Sequence, residues 1–349
     1  PTCRGCLWRR GANENFRPVP RALSSYLGER RMKATWLLLA GAVCALAPHS
    51  AAQCQTAGSL LLYPEFDNTD GVRTILTVTN TSDTDEINTE IIYIDHYDCS
   101  EFNREIALTP NDTFTFVTNF HNPQDEKGYA YLFAKDEDGD AVSFNWLVGH
   151  ALRIDAWAIT SAVNPVVYQG VGADGTKTDV DGDGELDMDG TEYSENVDVV
   201  IIPRFLGQNE KSMKSRLIFV ALTGGSQFDT TVDFLIYNDN EEVFSSEYTF
   251  YCWKRVKLTD ISGIFSNSFL KMNTNHAMNE IWGWNMQESG WMQIDGAVAS
   301  SSTTSIMDPA FVAVLDEGFM DRRGRDLPFG RGTQDNGTLL PRSNDGDQD

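Results

Sequence analysis

The chain has little positive charge and no long hydrophobic run. It carries 27 lysines and arginines against 51 aspartates and glutamates, which gives a formal net charge of −24. Nucleic acids and anionic lipids attract basic surfaces, so this balance argues against both as partners. The apolar run at residues 36–47 is well short of the roughly 20 residues that cross a bilayer. We therefore expect no membrane span once the leader described below is removed.

The sequence also lacks the motifs of common catalytic sites. No histidine pair has the spacing of a zinc site, and no phosphate-binding glycine loop or Gly-x-Ser-x-Gly motif is present. We predict that the protein is not an enzyme. A glycosidase, however, needs only two suitably placed carboxylates, and this chain has many. A polysaccharide hydrolase is therefore our third hypothesis.

Cysteine is scarce after the leader, where only Cys54, Cys99 and Cys252 remain. None lies in a recognisable nucleophile motif. Export would permit a disulfide. Pairing of Cys54 with Cys99 would tie down the N-terminal segment, whereas pairing of Cys99 with Cys252 would clamp two halves of the chain together, and the sequence leaves both open.

The N-terminal residues have the pattern of an export signal. Met32 and Lys33 precede the apolar run, and Ser50, Ala51 and Ala52 suit cleavage before residue 53, so we predict a signal peptide at residues 32–52. Residues 1–31 are expected to be a non-native upstream extension. A membrane anchor and a lipoprotein modified at Cys54 are the alternatives. We expect a secreted protein in the extracellular space, at the cell surface or in the periplasm.

From residue 59 the chain reads as short strands separated by turns, without helical periodicity, which predicts an all-β fold. The order of landmarks recurs after residue 197. Residues 61–66 match 200–205 and share a proline and a phenylalanine; residues 93–95 match 237–239, and residues 128–129 match 290–291. This recurrence predicts two copies of one module.

Each copy is long enough for the seven or eight strands of an immunoglobulin-like (Ig-like) β-sandwich. The turn at residues 79–82, Thr-Asn-Thr-Ser, resembles a turn of exported bacterial Ig-like modules, and the chain as a whole resembles uncharacterised secreted bacterial proteins with tandem Ig-like sandwiches. The resemblance implies a fold and no specific function. The predicted boundaries are module 1 at 57–170, an acidic linker at 171–196, module 2 at 197–318 and a disordered acidic tail at 319–349.

The linker contains the strongest chemical signal in the chain, a run of acids at alternating positions. Carboxylates at loop positions 1, 3 and 5 can converge on one side of a tight turn, glycine at position 6 permits the turn, and position 7 offers its carbonyl. The spacing resembles the calcium loops of EF-hands, dockerins and thrombospondin type 3 repeats. We predict a structural calcium site whose ligands are Asp179, Asp181, Asp183, Glu185 and Asp187.

The loop departs from an EF-hand at position 12, where Gly190 replaces the bidentate glutamate. Asp189 or Glu192 would have to complete the shell. The alternative interpretation is an acidic, flexible linker that binds no ion. A hairpin tip containing Asp136, Asp138 and Asp140 is a second, weaker cation candidate, for which a solvated turn is the simpler explanation.

The tryptophans Trp282 and Trp284 lie among amide side chains and could stack on a sugar, although tryptophan is often buried in sandwiches. The first functional hypothesis is therefore an exported, non-enzymatic structural or adhesive protein with calcium-stabilised tandem sandwiches. A carbohydrate-binding protein is the alternative. A glycan or a cell-surface protein is the expected partner.

Overall fold

The computed structural model describes residues 55–157, 159–209, 213–273, 288–319 and 322–339. The predicted leader, Cys54, Trp282 and Trp284 lie outside these residues. Within them the chain is all-β, as predicted, with only three short α-helices. No helix in this part of the chain is long and apolar enough to cross a membrane.

The first half of the described chain forms nine strands and one helical turn. They are β1 (Leu60–Asp67), β2 (Arg73–Asn80), β3 (Ile87–Asp95), β4 (Glu101–Leu108), β5 (Thr113–Val117), α1 (Thr118–His121), β6 (Lys127–Lys135), β7 (Leu147–Ile154), β8 (Thr160–Val163) and β9 (Val166–Tyr168). The strands make two antiparallel sheets, which we call outer sheet 1, in the order β5-β2-β7-β8, and inner sheet 1, in the order β4-β3-β6-β1-β9.

The second half begins after the short linker strand β10 (Leu186–Met188). Its elements are β11 (Asn196–Leu206), β12 (Arg216–Ala221), β13 (Asp229–Asn238), β14 (Val243–Tyr251), β15 (Trp253–Lys257), α2 (Leu258–Ile261), α3 (Asn267–Met272), β16 (Ser289–Ser300), β17 (Ser305–Met307), β18 (Phe311–Phe319), β19 (Arg322–Asp326), β20 (Phe329–Gln334) and β21 (Gly337–Leu339). Inner sheet 2 has the order β15-β12-β18-β19, and outer sheet 2 the order β14-β13-β16-β11-β20, with β17 beside β16.

The two halves repeat the same topology. Replacing β1 to β6 by β11 to β16, and β7, β8 and β9 by β18, β19 and β20, converts each sheet order of the first half into one of the second. Even the helical turn recurs, since α1 follows β5 and α2 follows β15. The internal duplication expected from the sequence is therefore present in the strand pairing.

The shared proline, Pro64 in the first half and Pro203 in the second, lies at the same shift of strand register in both copies. The pairing of β1 with β6 shifts between Tyr63 and Phe66, and the pairing of β11 with β16 shifts between Ile202 and Phe205. Phe66 then faces Gly128, as Phe205 faces Gly290. A Cβ on either glycine would collide with a backbone carbonyl of the neighbouring strand on the other side, in β3 or β13. These matches made from the sequence are confirmed.

The match of residues 93–95 with 237–239 is wrong by one residue. Tyr93 pairs with Ala130, two residues beyond Gly128, and Ile236 pairs with Met292, two residues beyond Gly290. Tyr93 therefore corresponds to Ile236. Because successive side chains on a strand point to opposite faces, a slip of one residue exchanges the buried and exposed positions.

Inner sheet 1 packs against inner sheet 2, and β8 of outer sheet 1 also lies beside β19 of inner sheet 2. Strand β1 contacts β12 and β18, and β6 contacts β15. Leu62 of inner sheet 1 belongs to the same hydrophobic cluster as Ile218 and Val220 of β12. The intervening β12 residues Leu217 and Phe219 belong to a second cluster, shared with outer sheet 2. Both faces of the central strands of the inner sheets are thus covered, which explains the nearly continuous buried runs of β1, β6, β12 and β18.

One end of this central interface is charged. Glu65 of β1 is only 2% exposed, and it pairs with Arg325 of β19 and, at 3.1 Å, with Arg255 of β15. Asp316 of β18 pairs with Arg255 and lies 3.5 Å from Arg323. Burial raises the pKa of Asp316, but the neighbouring guanidinium groups outweigh that effect and hold the pKa below its usual range. The ion pairs therefore keep this buried carboxyl charged.

A disulfide and a hydrogen bond also join the halves. Cys99, which follows β3, is bonded to Cys252, which precedes β15, with 6.3 Å between the Cα atoms. Of the two pairings that the sequence left open, the structure therefore has the one that joins the two halves of the chain. The adjacent Trp253 donates its indole N–H to the buried carbonyl of Pro64 at 2.8 Å.

The predicted disorder of the tail is wrong for residues 322–339, which form β19, β20 and β21. Strand β19 completes inner sheet 2, β20 completes outer sheet 2, and β21 pairs with β10 of the linker. The segment contains few apolar side chains, but backbone pairing and the ion pair of Arg325 hold it in place. The halves are correspondingly not separated by a free hinge.

We expect replacement of both disulfide cysteines by alanine, Cys99→Ala with Cys252→Ala, to lower the free energy of unfolding by about 2–5 kcal/mol, since the bond closes a long loop. Urea denaturation measures the change. A reductant should lower the stability of the wild type similarly and leave the variant unaffected. Equal midpoints for oxidised wild type and variant would contradict the clamp.

We expect Arg325→Met to lower the free energy of unfolding by about 3 kcal/mol, because it takes a partner from a buried carboxylate. The matched control is Arg204→Met. Arg204 occupies the position of Glu65 in the second copy, and its side chain is 57% exposed where it pairs with Glu317. Its loss should cost less than about 1 kcal/mol. Equal losses in urea denaturation would show that the interface charges do not stabilise the packed halves.

Candidate functional site

The aspartate-rich loop is fastened to both halves of the molecule. On one side, the backbone N–H of Thr178 donates to the carbonyl of Ala141 in the first half at 2.9 Å. On the other, β10 pairs with β21, where the hydroxyl of Thr338 donates to a carboxylate oxygen of Glu185 at 3.0 Å. Any ligand that stiffens the loop would therefore stiffen a connection between the two halves.

The start of the loop is a series of tight turns closed on carboxylates. Asp179 accepts backbone N–H groups from Gly182 at 2.6 Å and from Gly184 at 3.2 Å, one on each oxygen. Both glycines have φ of +81°. Glycine adopts this conformation without the steric cost that a side chain would add, which is why the loop can double back. Asp181 similarly accepts the N–H of Asp183 at 3.2 Å.

The turns bring acids together in two overlapping groups. Ligand atoms of Asp179, Asp181 and Glu192 lie within 4.8 Å of one another, and so do those of Asp181, Asp183 and Asp187. Asp181 is common to both. Four of the five residues predicted as ligands thus converge, as side chains, where a single cation could contact several of them.

Glu185 behaves differently from the other predicted ligands. Its carboxylate accepts from Thr338 and is not in either group. Of the two acids considered for completing the shell, Glu192 joins the first group. Asp189 instead accepts the N–H of Thr191 at 2.7 Å. The acid that joins the aspartates is therefore at position 14 of the loop, whereas the bidentate glutamate of an EF-hand is at position 12.

Glu192 combines burial with charge. It is 3% exposed and accepts N–H groups from Val180 at 2.7 Å and from Asp187 at 3.2 Å. Burial raises the pKa of Glu192, and the charge of Asp187 adds to the rise. Burial also raises the pKa of Asp187, helped by the charge of Asp183. A bound divalent cation would remove this repulsion, and hard oxygen donors of this kind are what calcium prefers.

The hairpin tip offers a useful contrast. Asp136, Asp138 and Asp140 also lie within 4.8 Å of one another. The ammonium of Lys177, however, pairs with Asp140 and lies 4.0 Å from Asp136. Asp136 also closes the turn by accepting the N–H of Asp138 at 2.9 Å. A lysine therefore already neutralises part of this cluster, and a turn accounts for its residues.

A third acidic group was not predicted from the sequence. Asp198 of β11, Asp295 of β16 and Asp308 after β17 lie within 4.8 Å of one another. Burial raises the pKa of Asp198 and of Asp295, and the charge of Asp308 adds to both. The three residues are distant in the sequence, so no local spacing could reveal them. Their meeting depends on the pairing of β11 with β16.

The comparisons with known proteins add no relative. No family model matches the chain, and no curated protein or solved structure matches it. The geometry of the described residues is therefore the only basis for a functional proposal.

We expect calcium at millimolar concentration to raise the melting temperature, because an ion that binds only the folded loop shifts the equilibrium towards the folded state. Asp181→Ala with Asp183→Ala should abolish the rise. The matched control is Asp136→Ala with Asp138→Ala at the hairpin tip, which should keep it. A melting temperature unchanged by calcium and by chelation, or a response lost equally in both variants, would contradict a calcium site in the loop.

Proposed function

We propose that this protein is exported and acts outside the cell as a non-enzymatic structural or adhesive protein, built from two Ig-like sandwich modules and stabilised by calcium at the linker. The observation that supports it most directly is the loop in which Glu192 and four aspartates converge between attachments to both halves. Extracellular modules commonly use calcium sites of millimolar affinity.

The sandwich interpretation is supported by how the sheets share their strands. Each half alternates between its two sheets along the chain, so that β1 and β3 lie in one sheet and β2 lies in the other. Such crossing between sheets is typical of sandwiches with Greek-key connections. Four sheets would also suit a four-bladed propeller, but propeller blades surround a central channel. The sandwich interpretation is also supported by the packing of apolar residues of β1 against those of β12, with Leu62, Ile218 and Val220 in one hydrophobic cluster.

The proposed role of calcium is to fix the linker rather than to catalyse. Between β9 and β11 the chain makes one short strand, β10, and otherwise consists of turns and bends. Carboxylates that repel one another would favour opening of these turns when no ion is bound. With calcium bound, the same carboxylates would hold the turns closed against β21.

The proposal is tested by hydrogen exchange of the full chain with calcium and with a chelator, together with attachment of protein-coated beads to cell surfaces. We expect calcium to slow exchange across residues 171–196 and at β21, and to increase bead attachment. Asp181→Ala with Asp183→Ala should lose both effects, while the hairpin variant keeps them.

Two outcomes would overturn this function. Turnover of a polysaccharide by the wild type that disappears when one carboxylate is replaced would identify an enzyme. Unchanged exchange in the linker on adding calcium, with attachment equal in calcium and chelator, would remove the calcium-dependent structural role.

A further inference from the structure

A cavity of about 720 Å³ opens at one end of the second half, and its walls are unusually basic for this chain. Three lysines line it, one each from the segment before β12, the end of β15 and α3: Lys214, Lys257 and Lys271. The volume is within the range of cavities that hold small ligands, roughly 300–1,000 Å³.

Charge makes this cavity stand out. The protein has a formal net charge of −24, yet the described residues that line the cavity contribute three ammonium groups against one carboxylate, that of Asp260. By contrast, the buried Lys135 pairs with Glu90 and Glu105. Among the described residues no acid lies within ion-pair distance of the three cavity lysines. Their mutual repulsion would be relieved by an anionic ligand.

Apart from Met213, the other side chains that line the cavity are polar. They include the side chains of Thr259 and Ser268, both exposed, and Lys214 and Lys257 are exposed as well. These hydroxyl and ammonium groups can reach a ligand from several sides. Ammonium groups form strong charge-assisted hydrogen bonds with carboxylate or sulfate oxygens, and hydroxyl groups can pair with sugar hydroxyls.

We propose that this cavity binds an acidic sugar, namely an oligosaccharide unit bearing carboxylate or sulfate groups, through Lys214, Lys257 and Lys271. The site is remote in sequence from the aspartate-rich loop and does not depend on calcium. It would give the protein a specific ligand, which the structural role proposed above does not include.

The test is calorimetric titration of the full chain in chelator with four probes: a uronic acid oligomer, a sulfated oligomer, a neutral oligomer of the same length and inorganic sulfate. We expect saturable binding of at least one acidic oligomer, weakened by salt, and none of the neutral one. Comparison of the two acidic probes identifies the anionic group.

The variants separate the cavity from the general charge of the surface. Lys257→Met with Lys271→Met should weaken binding at least tenfold, because two charge-assisted contacts are lost. Lys254→Met is the matched control, since Lys254 is exposed on β15 but does not line the cavity, and it should bind as the wild type does. Asp260→Asn should bind more tightly.

Several results would overturn the proposal. They are no binding of either acidic oligomer, equal binding of the neutral oligomer, binding of inorganic sulfate alone, or an equal loss of affinity in the Lys254→Met control. A binding isotherm measured in chelator also keeps this test distinct from the calcium experiments, since either can fail while the other succeeds.

Discussion

The packing of inner sheet 1 on inner sheet 2 is the constraint on which the rest of the structure depends. It buries apolar side chains such as Leu62 and Ile218 over most of the interface and the ion pairs of Glu65 at one end. The apolar part supplies free energy without direction, whereas the buried charges tolerate few alternative arrangements. With the disulfide added, the halves form one body, and the linker spans two surfaces that are already in contact.

The two copies stack in tandem and not as symmetric partners. The sheet containing β1 is inner in the first copy, whereas its counterpart containing β11 is outer in the second; β2 and β12 are related in the reverse sense. Such head-to-tail contacts leave two sheet faces without a partner, one on outer sheet 1 and one on outer sheet 2. The free faces are more polar, with threonine pairs on β2 and β5, Thr77 with Thr115 for example, and acids such as Asp233 on β13. Polar end faces cap the stack, as they do in repeat proteins.

Because corresponding sheets are outer in one copy and inner in the other, corresponding strands differ in how apolar their sequences are. Strand β2 alternates threonine with Leu76 and Val78, because only one face is buried. Its counterpart β12 has four consecutive buried residues, 217–220, because sheets cover both faces. Likewise Glu65 is buried against arginines, while Arg204 at the same position of the second copy is exposed. Whether a position is apolar, charged or polar therefore depends on whether its sheet is inner or outer, and not on its place within the copy.

The sequence by itself determined the all-β class, the duplication at the Pro-x-Phe landmarks and the turns of the aspartate loop, because strand alternation, a shared bulge and tight turns are local patterns. Only the tertiary structure decided the strand registers, the partner of Cys99, the pairing of residues 322–339 into strands and the position of Glu192, not Asp189, beside Asp179 and Asp181. Each of these depends on which surfaces meet. The continuous buried run of β3, residues 89–94, is compatible with more than one register, and only the neighbouring strand β6, anchored at Gly128, selects one.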